Sequence, residues 1–314
     1  MLEKVFWLGC NSSIEELLQF MDFRKWDQLD HDCLVNIFAK VGRGDTESFM
    51  ESMLMDVPFV CKSWHKASLD PKCWERLIFP IISTSLYNTD VETEDWTCDP
   101  FLKRFVSEYR INKSFSITAF IKFMVNRSKG CATEIRLPVC ASEEALKHVA
   151  ASCPRLKNLS LPADVVYYKS RMIPDMIGKW KDLENLLMGS CYHDMEKIIS
   201  QIGLHCKNFY FLCIPDCLVC EDAASAIAKL PNLKHIFMQN TKIERDNFVK
   251  LLKGCKNLVS LDARKCLGFD AGDKEISELA SHISDFKCQG SRVFDRHSEE
   301  GKYVWFHDFV YDGY

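Results

Sequence analysis

Three neighbouring cysteines are the residues whose type and spacing most resemble a chemical site. Cys213, Cys217 and Cys220 occupy one short segment, and thiolates are good zinc ligands. Strong zinc sites, however, come as paired Cys-x-x-Cys units. The strand pattern described below also divides these three residues between a strand face, the turn after it and a loop. We therefore expect neither a metal nor another cofactor here.

A second candidate is the group His193, Asp194 and Glu196, which has the residue types for general acid–base catalysis. These residues fall where a helix is predicted to begin, so we interpret them as solvated or capping groups. The sequence has no G-x-S-x-G, H-E-x-x-H, P-loop or dinucleotide-binding glycine pattern. We predict a chain with no catalytic activity of its own.

Composition narrows the class of protein. The 314 residues are 47% hydrophobic and 27% charged, which is typical of globular chains with a substantial core. A net charge of −4 argues against a nucleic-acid partner, and no apolar stretch is long enough to cross a membrane. Glu15 and Glu16 interrupt any secretory signal, so we expect the 16 cysteines to be reduced and the protein to be cytoplasmic or nuclear.

One pattern recurs seven times between Ala132 and Cys288, with a period of 24 to 27 residues. Each copy reads as L-x-x-L-x-L, which predicts a short strand, and each is followed by a segment of helical period. Since one strand and one helix cannot bury their own apolar faces, the units must stack around a shared core. The apolar triplets are Ala132, Ile135, Leu137; Leu156, Leu159, Leu161; Leu183, Leu186, Met188; Phe209, Leu212, Ile214; Leu233, Ile236, Met238; Leu258, Leu261, Ala263; and Ile283, Phe286, Cys288.

These units resemble leucine-rich repeats of the cysteine-containing subclass, in which one Cys follows the strand and another closes the helix. A small buried side chain that can hydrogen-bond backbone suits the turn after a strand. Cys153, Cys206 and Cys255 occupy the helix-closing positions. The post-strand positions hold Cys140, Asp164, Cys191, Cys217, Thr241, Cys266 and Ser291.

Residues 24–80 carry three further apolar stripes at helical spacing. Either Asp30 or Asp32 is suited to cap the first helix. So small a core is expected to need a partner, because small domains bury little of their own surface. The stripes are Leu34, Ile37, Phe38, Val41; Val57, Val60, Cys61, Trp64; and Trp74, Leu77.

This segment resembles an F-box in the order and type of its residues. The matching positions are Leu29, Leu34, Ile37, Val60, Cys61, Lys62, Trp64, Pro71 and Trp74. Two departures stand out. Asp30 replaces the proline that usually follows the first leucine, and the insertion before Val57 predicts a looped-out or extra helical segment. The combination of F-box and repeats resembles proteins of plant type.

The resemblance implies a substrate receptor of an SCF-type ubiquitin ligase, whose F-box docks on a Skp-type adaptor held by a cullin. It also implies the adaptor-contacting residues, although for each one packing in the helical core is an equal alternative. The candidates are Leu29, Leu34, Ile37, Phe38, Val57, Val60 and Trp64.

An unknown protein target would then bind the repeats. Residues next to the core-facing ones in each strand point to the concave surface. Leu187, Phe211, Cys213 and Phe237 should form an apolar patch there, with a polar rim. The candidate target-binding residues are Leu187, Phe211, Cys213, His235, Phe237, Asp262 and Arg264, with Arg136 expected on the opposite side of the patch.

The aromatic C-terminal tail leaves an alternative open. Residues 303–311 alternate aromatic and other side chains, which predicts a strand. The tail either caps the last repeat or folds over the concave face, where it would cover the proposed target site.

The predicted architecture is α/β, with a short three-helix F-box joined by a helical linker to an open solenoid of about seven strand–helix repeats. The segments are an N-terminal extension (1–23), the F-box (24–80), the linker (81–130), the repeats (131–290) and the tail (291–314). The alternative function is a protein-binding repeat scaffold with a degenerate F-box outside any ligase. A small-molecule receptor is disfavoured, because long loops that would build a pocket are not apparent.

Overall fold

The structure is a computed structural model that describes residues 26–42, 48–80, 99–111, 115–139 and 141–293. The predicted N-terminal extension and all of the C-terminal tail beyond Val293 lie outside these residues. The chain divides into two compact units, 1–156 and 157–314, which are described separately. No helix of the described residues is long and apolar enough to span a bilayer.

The first unit begins with a run of short helices. The carboxylate of Asp30 accepts a hydrogen bond of 2.8 Å from the His31 backbone N–H, so Asp30 rather than Asp32 caps the first helix. The described elements up to residue 80 are α1 (His31–Val41), α2 (Ser48–Met55), α3 (Val57–Val60), α4 (Lys62–Ser68), a 3-10 helix (Pro71–Trp74) and β1 (Arg76–Ile78).

The insertion before Val57 forms the extra helix α2, which is built into the core. Its Met53 and Leu54 side chains are fully buried, and the Leu54 carbonyl accepts a hydrogen bond of 2.9 Å from the Tyr109 hydroxyl. Of the two expectations for this segment, the extra helix is therefore the one the structure has. The insertion adds apolar packing to the unit.

The third apolar stripe differs from a regular α-helix. Asp70 caps a single 3-10 turn by accepting from the Lys72 N–H at 2.9 Å, and Pro71 starts that turn. The chain then extends, and Leu77 of β1 pairs in parallel with Ile135 of the next strand in the chain. A stripe of only two apolar residues could not distinguish a helix from this turn and strand.

The remainder of the first unit carries the predicted linker helices and the first repeat. Asp99, Ser116 and Ser142 each accept a backbone N–H with their side chains at a helix start. Aromatic packing joins two of these helices, since the Phe105 and Phe120 rings lie 4.9 Å apart. The elements are α5 (Pro100–Glu108), α6 (Ile117–Arg127), β2 (Glu134–Arg136) and α7 (Glu143–Ser152).

The second unit alternates strands and helices at the predicted period. Its main strands are β3 (Asn158–Leu161), β4 (Asn185–Met188), β5 (Phe211–Cys213), β7 (His235–Phe237), β9 (Ser260–Asp262) and β10 (Asp285–Lys287). Its helices are α8 (Ala163–Lys169), α9 (Ile173–Ile177), α10 (Met195–His205), α11 (Glu221–Ala228), α12 (Arg245–Gly254) and α13 (Lys274–Leu279). The minor strands β6 (Leu218–Val219) and β8 (Lys242–Ile243) pair separately.

The main strands are parallel and in register at the predicted residues. Leu186 pairs with Leu159 and with Leu212, and Ile236 pairs with Leu212 and Leu261. Leu186, Leu212, Ile236 and Leu261 are completely buried. Each such side chain contributes about 1.5–3 kcal/mol by leaving water, which explains why apolar spacing alone predicts the register. The leucine-rich-repeat interpretation is confirmed.

A hydrogen-bond ladder follows the strands, at the post-strand positions. The Thr241 hydroxyl donates to the Ile214 carbonyl at 2.8 Å and accepts from the Cys217 N–H at 3.4 Å. Ser291 repeats both contacts, with the Ala263 carbonyl at 2.7 Å and the Cys266 N–H at 3.0 Å. These side chains satisfy backbone groups that have left the sheet.

One post-strand assignment is wrong, and another cannot be assessed. Asp164 is exposed within α8, because a helix begins directly after Pro162 in this repeat. In the same repeat, a 3-10 turn (Ser170–Met172) separates α8 from α9. Pro174 of α9 lacks the backbone N–H that a continuous helix would need at this position. Cys140 lies outside the described residues.

Candidate protein-binding surfaces

The first candidate surface lies on α3, in the first unit. This four-residue helix buries Val57, which is 1% exposed, and presents Phe59 and Val60, which are 56% and 39% exposed. Large apolar side chains at such exposure on adjacent positions are typical of an interaction site. We call Phe59 and Val60 the helical pair.

Four of the seven predicted adaptor-contacting side chains lie in the core. Leu34, Phe38, Val57 and Trp64 are at most 5% exposed. The Phe38 and Trp64 rings pack edge to face at 5.2 Å, and the indole N–H of Trp64 donates to the Trp26 carbonyl at 3.4 Å. These four residues hold the helices together, since their side chains are not accessible to a partner.

The other three predicted side chains reach the surface of the first unit. Leu29 and Ile37 are half-buried, and Val60 is the most exposed of the three. For Val60 the alternative of packing in the helical core is wrong, because this side chain is exposed. Adaptor contact stays a prediction for Leu29, Ile37 and Val60.

Phe59 is the surface residue that sequence reasoning missed. The helical stripe through Val57, Val60 and Trp64 directs attention to one face, and Phe59 falls off that stripe. An apolar aromatic outside an otherwise consistent stripe is the signal that could have identified it.

The second candidate surface is the outward side of the sheet in the second unit. Phe211 and Phe237 lie on the neighbouring strands β5 and β7, and their rings stack at 5.4 Å with an angle of 30°. Leu187 and Cys213 pair on β4 and β5, and Leu187 is 40% exposed while the other three are partly exposed. We call these four residues the sheet cluster, and the structure brings them together as predicted.

Polar residues border the sheet cluster on one side. His235 lies next to Phe211, with ring centroids 6.2 Å apart. Asp262 pairs with Phe237 on the following strand, and its carboxylate accepts hydrogen bonds from the Arg264 guanidinium at 2.7 Å and the Gln239 amide at 2.7 Å.

The electrostatics of Asp262 follow from this arrangement. Burial by itself raises the pKa of Asp262, but the hydrogen bonds from Arg264 and Gln239 outweigh it and hold that pKa below its ordinary value. Asp262 is therefore a buried anion, and the half-exposed Arg264 is the charged group that a partner would meet. Arg136 belongs to the first unit, so its expected place opposite this border stays a prediction.

The described residues offer little for catalysis. Asp194 accepts from the Lys197 ammonium at 2.6 Å and from the Ser170 hydroxyl at 3.3 Å. It is the N-cap residue of α10, but its side chain accepts no backbone N–H of that helix. His193 is exposed, and Glu196 accepts from the Ser200 hydroxyl. No group of three or more His, Cys, Asp or Glu side chains in the described part of the chain could hold a metal ion.

The buried cysteines of the repeats have unreactive thiols. Burial raises the pKa of Cys153, Cys191, Cys255 and Cys266 to about 12, so these thiols are protonated at neutral pH. Two of the three cysteines considered as zinc ligands lie in different environments. Cys217 is buried in the post-strand ladder, whereas Cys220 is exposed.

Comparison with known proteins shows which proteins this chain is similar to. No protein-family model matches the chain. An F-box/LRR-repeat protein of Arabidopsis thaliana is 28% identical over 251 residues, or 79% of this chain and 74% of that protein. The chain is a homologue of plant F-box/LRR-repeat proteins. In the same plant, the F-box protein FBW2 is 23% identical over 280 residues (87% and 77%), and the F-box protein SKIP1 is 22% identical over 297 residues (85% and 85%).

The structure explains how this F-box/LRR-repeat homologue accommodates its two departures from the F-box pattern, which are Asp30 and the insertion before Val57. The carboxylate of Asp30 supplies a helix cap where the family has proline, so α1 still begins at the expected place. The insertion becomes α2 and packs within the first unit, and the adjacent α3 still presents Phe59 and Val60. Neither departure removes the helical surface.

Proposed function

We propose that the chain is the substrate-recognition subunit of an SCF-type cullin ubiquitin ligase. The observation that supports this best is the helical pair on a closed helical core, in a homologue of F-box/LRR-repeat proteins. The first unit would dock on a Skp-type adaptor, and the adaptor would join it to a cullin. The chain would perform no chemistry itself.

Its contribution would be proximity. A target lysine held beside an activated thioester reacts as if the two were parts of one molecule. Two separate binding surfaces on one chain meet the minimum requirement for this role. The helical pair would serve the adaptor and the sheet cluster would serve the target.

The helical pair has the features of an adaptor-binding anchor. The buried side chain of Val57 anchors α3 to the core, and Pro58 restricts the backbone conformation at the start of this helix. Phe59 and Val60 are thus presented in a defined position with little conformational entropy left to lose. Exposed aromatic anchors on a fixed backbone are the residues that most often dominate binding energy.

The first experiment measures binding of the full chain to a purified plant Skp-type adaptor by titration and size-exclusion chromatography. We expect a one-to-one complex, and a loss of about 3 kcal/mol, or roughly a hundredfold in affinity, for the double variant Phe59→Asp, Val60→Asp. The matched control is Leu204→Asp, which charges a 60% exposed apolar residue on α10. Equal binding by the double variant and the control would reject docking through α3.

The sheet cluster is the proposed target site. Its stacked phenylalanines give an apolar centre, and Arg264 and His235 give a polar border, which is the usual layout of a protein-binding surface. Leu187→Asp and Phe237→Ser alter partly exposed side chains on this surface. A true target should bind the wild-type chain and the Leu204→Asp control, and should be lost from both cluster variants.

The alternative is a repeat scaffold outside any ligase. It rests on the loss of proline at Asp30 and on the insertion that forms α2. A folded chain that binds no Skp-type adaptor but still discriminates the cluster variants would favour it. We also propose residence in the cytoplasm or nucleus, with support from the free state of all cysteines in the described segments.

A further inference from the structure

One edge of the repeats in the second unit carries positive charge without matching acids. Three successive segments lead from the last turn of a helix into the next strand, at residues 203–211, 228–237 and 253–261. Together they contain five lysines and no Asp or Glu, although the whole chain has a net charge of −4. The local charge is therefore opposite in sign to that of the chain. The lysines are Lys207, Lys229, Lys234, Lys253 and Lys256.

Several other basic side chains of this unit pair with an acid on the neighbouring repeat. The Lys157 ammonium lies 2.7 Å from the Glu184 carboxylate, and the Lys253 ammonium lies 3.3 Å from that of Glu275. The remaining four lysines of the three segments are exposed and form no ion pair within the described residues. We call these four the basic edge, which consists of Lys207, Lys229, Lys234 and Lys256.

Side-chain hydrogen bonds join the turns that carry the basic edge. The Asn232 amide donates to the Lys207 carbonyl at 2.8 Å, and the Asn257 amide donates to the Pro231 carbonyl at 2.9 Å. Each asparagine thus ties its own turn to the turn of the preceding repeat. The backbone of the three turns is held as one row, so their lysines lie side by side.

Apolar side chains lie in the row next to these turns. The Val259 N–H donates to the Lys234 carbonyl at 2.8 Å, and the Lys234 N–H donates to the Tyr210 carbonyl at 2.9 Å. Val259 is 44% exposed and Tyr210 is partly exposed. A lysine between two accessible apolar side chains suits a partner that has both acidic and apolar groups.

The helix dipole explains only part of the positive charge. Lys229 is the C-cap residue of α11, where a cation interacts favourably with the helix end. Lys234 lies beyond that end, on the approach to β7, and the effect of the dipole falls off within the last turn. Lysines on adjacent turns also repel one another, and a partner of opposite charge would relieve this repulsion.

We propose that the basic edge binds an acidic segment of another protein. Neighbouring strands are about 4.8 Å apart, so three repeats span roughly 10 Å. A peptide in extended conformation covers that distance with about three to four residues. Its carboxylates would meet the ammonium groups of Lys207, Lys234 and Lys256, and an apolar side chain of the segment would pack against Val259.

The composition of the edge favours an acidic protein segment over a nucleic acid. The three segments contain no arginine, which is the residue type suited to bidentate contact with phosphate. The aliphatic Val259 side chain has no counterpart in a phosphate backbone. The net charge of −4 would also repel a polyanion at long range.

The basic edge is separate from the proposed target site. At the sheet cluster, the acid Asp262 is already paired with Arg264 at 2.7 Å, so unpaired positive charge lies at the basic edge. The inference does not depend on the ligase assignment, because it concerns a surface of the second unit alone.

The test measures fluorescence anisotropy of a fluorescein-labelled peptide of alternating glutamate and leucine, titrated with the full chain. We expect saturable binding that weakens at least about tenfold in the double variant Lys207→Glu, Lys256→Glu. Val259→Ser should weaken binding by about threefold, because it removes the apolar contact. The same peptide with glutamine in place of glutamate should not bind.

The matched control is the double variant Lys265→Glu, Lys274→Glu, which makes the same change in net charge at exposed lysines outside the edge. It should bind like the wild type. A peptide of alternating lysine and leucine gives the reverse test, because it should bind the charge-reversed edge more tightly than the wild type. Such a gain in binding cannot come from a variant that fails to fold.

Two results would overturn the proposal. One is equal binding of the glutamate peptide by the edge variant and the control variant. The other is tighter binding of a single-stranded oligothymidine than of the peptide, with no effect of Val259→Ser, which would identify a nucleic-acid site instead. Neither result bears on adaptor binding, which is measured through Phe59 and Val60.

Discussion

The helical surface of the first unit and the sheet surface of the second unit are built in different ways. On α3, a buried Val57 and an exposed Phe59 are two residues apart, and this arrangement belongs to no repeat. On the sheet, every strand repeats the same alternation, so a role at Leu212 recurs at Ile236 and Leu261. A surface made by repetition can be inferred from its neighbours, whereas a surface made by unique contacts cannot.

The same difference applies to stability. The first unit depends on a few large side chains with individual contacts. Trp74 is 1% exposed, its indole N–H donates to the Ser68 carbonyl at 2.7 Å, and the Arg127 guanidinium lies over its ring at 5.1 Å. The second unit distributes its stability over ladders of equivalent residues. Loss of one residue should therefore matter most in the first unit.

The largest expected effect is that of Trp74→Ala. Removing this buried ring should lower the free energy of unfolding of the first unit by about 3–5 kcal/mol, because a cavity forms and the Ser68 carbonyl loses its donor. Phe237→Ala, at a partly exposed position, should cost only about 1 kcal/mol. Urea unfolding of each variant measures both values. A loss of under about 1 kcal/mol for Trp74→Ala would contradict the dependence on unique contacts.

The next effect concerns the post-strand ladder. Thr241→Val keeps the side-chain shape but leaves the Ile214 carbonyl and the Cys217 N–H without the hydroxyl that now joins them. We expect a loss of about 1–3 kcal/mol, the usual range for buried groups left unpaired. Thr241→Ser keeps the hydroxyl and is the matched control, which should be clearly more stable than the valine variant. Similar stabilities would mean that the ladder contributes little.

How much the sequence predicts follows the same division. The apolar pattern predicts the central core-facing residue of each described repeat strand, because the period and the parallel register recur and the copies can be compared with one another. Asp164 was misplaced where one repeat departs from the rest, since a helix begins at once after Pro162. In the first unit, residue types predict helix α1, but neither the 3-10 turn and strand at the third stripe nor the exposure of Phe59 to solvent. Exposure there depends on which side of a four-residue helix the rest of the unit covers.

The Asp262–Arg264 pair provides a test by pH in the second unit. Because hydrogen bonds from Arg264 and Gln239 hold the folded-state pKa of Asp262 below its ordinary value, the pair stabilises the fold at neutral pH. That contribution is present above the unfolded pKa near 3.9 and is lost as pH falls through the lower folded pKa. Asp262→Asn should therefore be less stable at pH 7 and should lose less stability on acidification.

Thermal unfolding of both proteins between about pH 7 and about pH 2 measures this difference. Asp182→Asn is the control, because Asp182 is an exposed residue between α9 and β4, away from the Asp262–Arg264 pair. Parallel pH profiles for wild type and Asp262→Asn would mean that the pair adds nothing to the stability of the sheet.

The smallest expected effect is a gain. A left-handed residue precedes each post-strand ladder position, at Ser190, Asp216, Asn240, Lys265 and Gly290. Lys265, with a φ of 57°, is the least suited of these, since side chains other than Gly, Asn and Asp are strained by about 1–2 kcal/mol there. Lys265→Asn should recover part of this, roughly 0.5–1 kcal/mol, and raise the melting temperature by about 1–3 °C. Lys256→Asn, an exposed position with ordinary backbone, should change nothing. An equal gain in stability at both positions would mean that the gain comes from removing a positive charge. The left-handed backbone at Lys265 would then not limit stability.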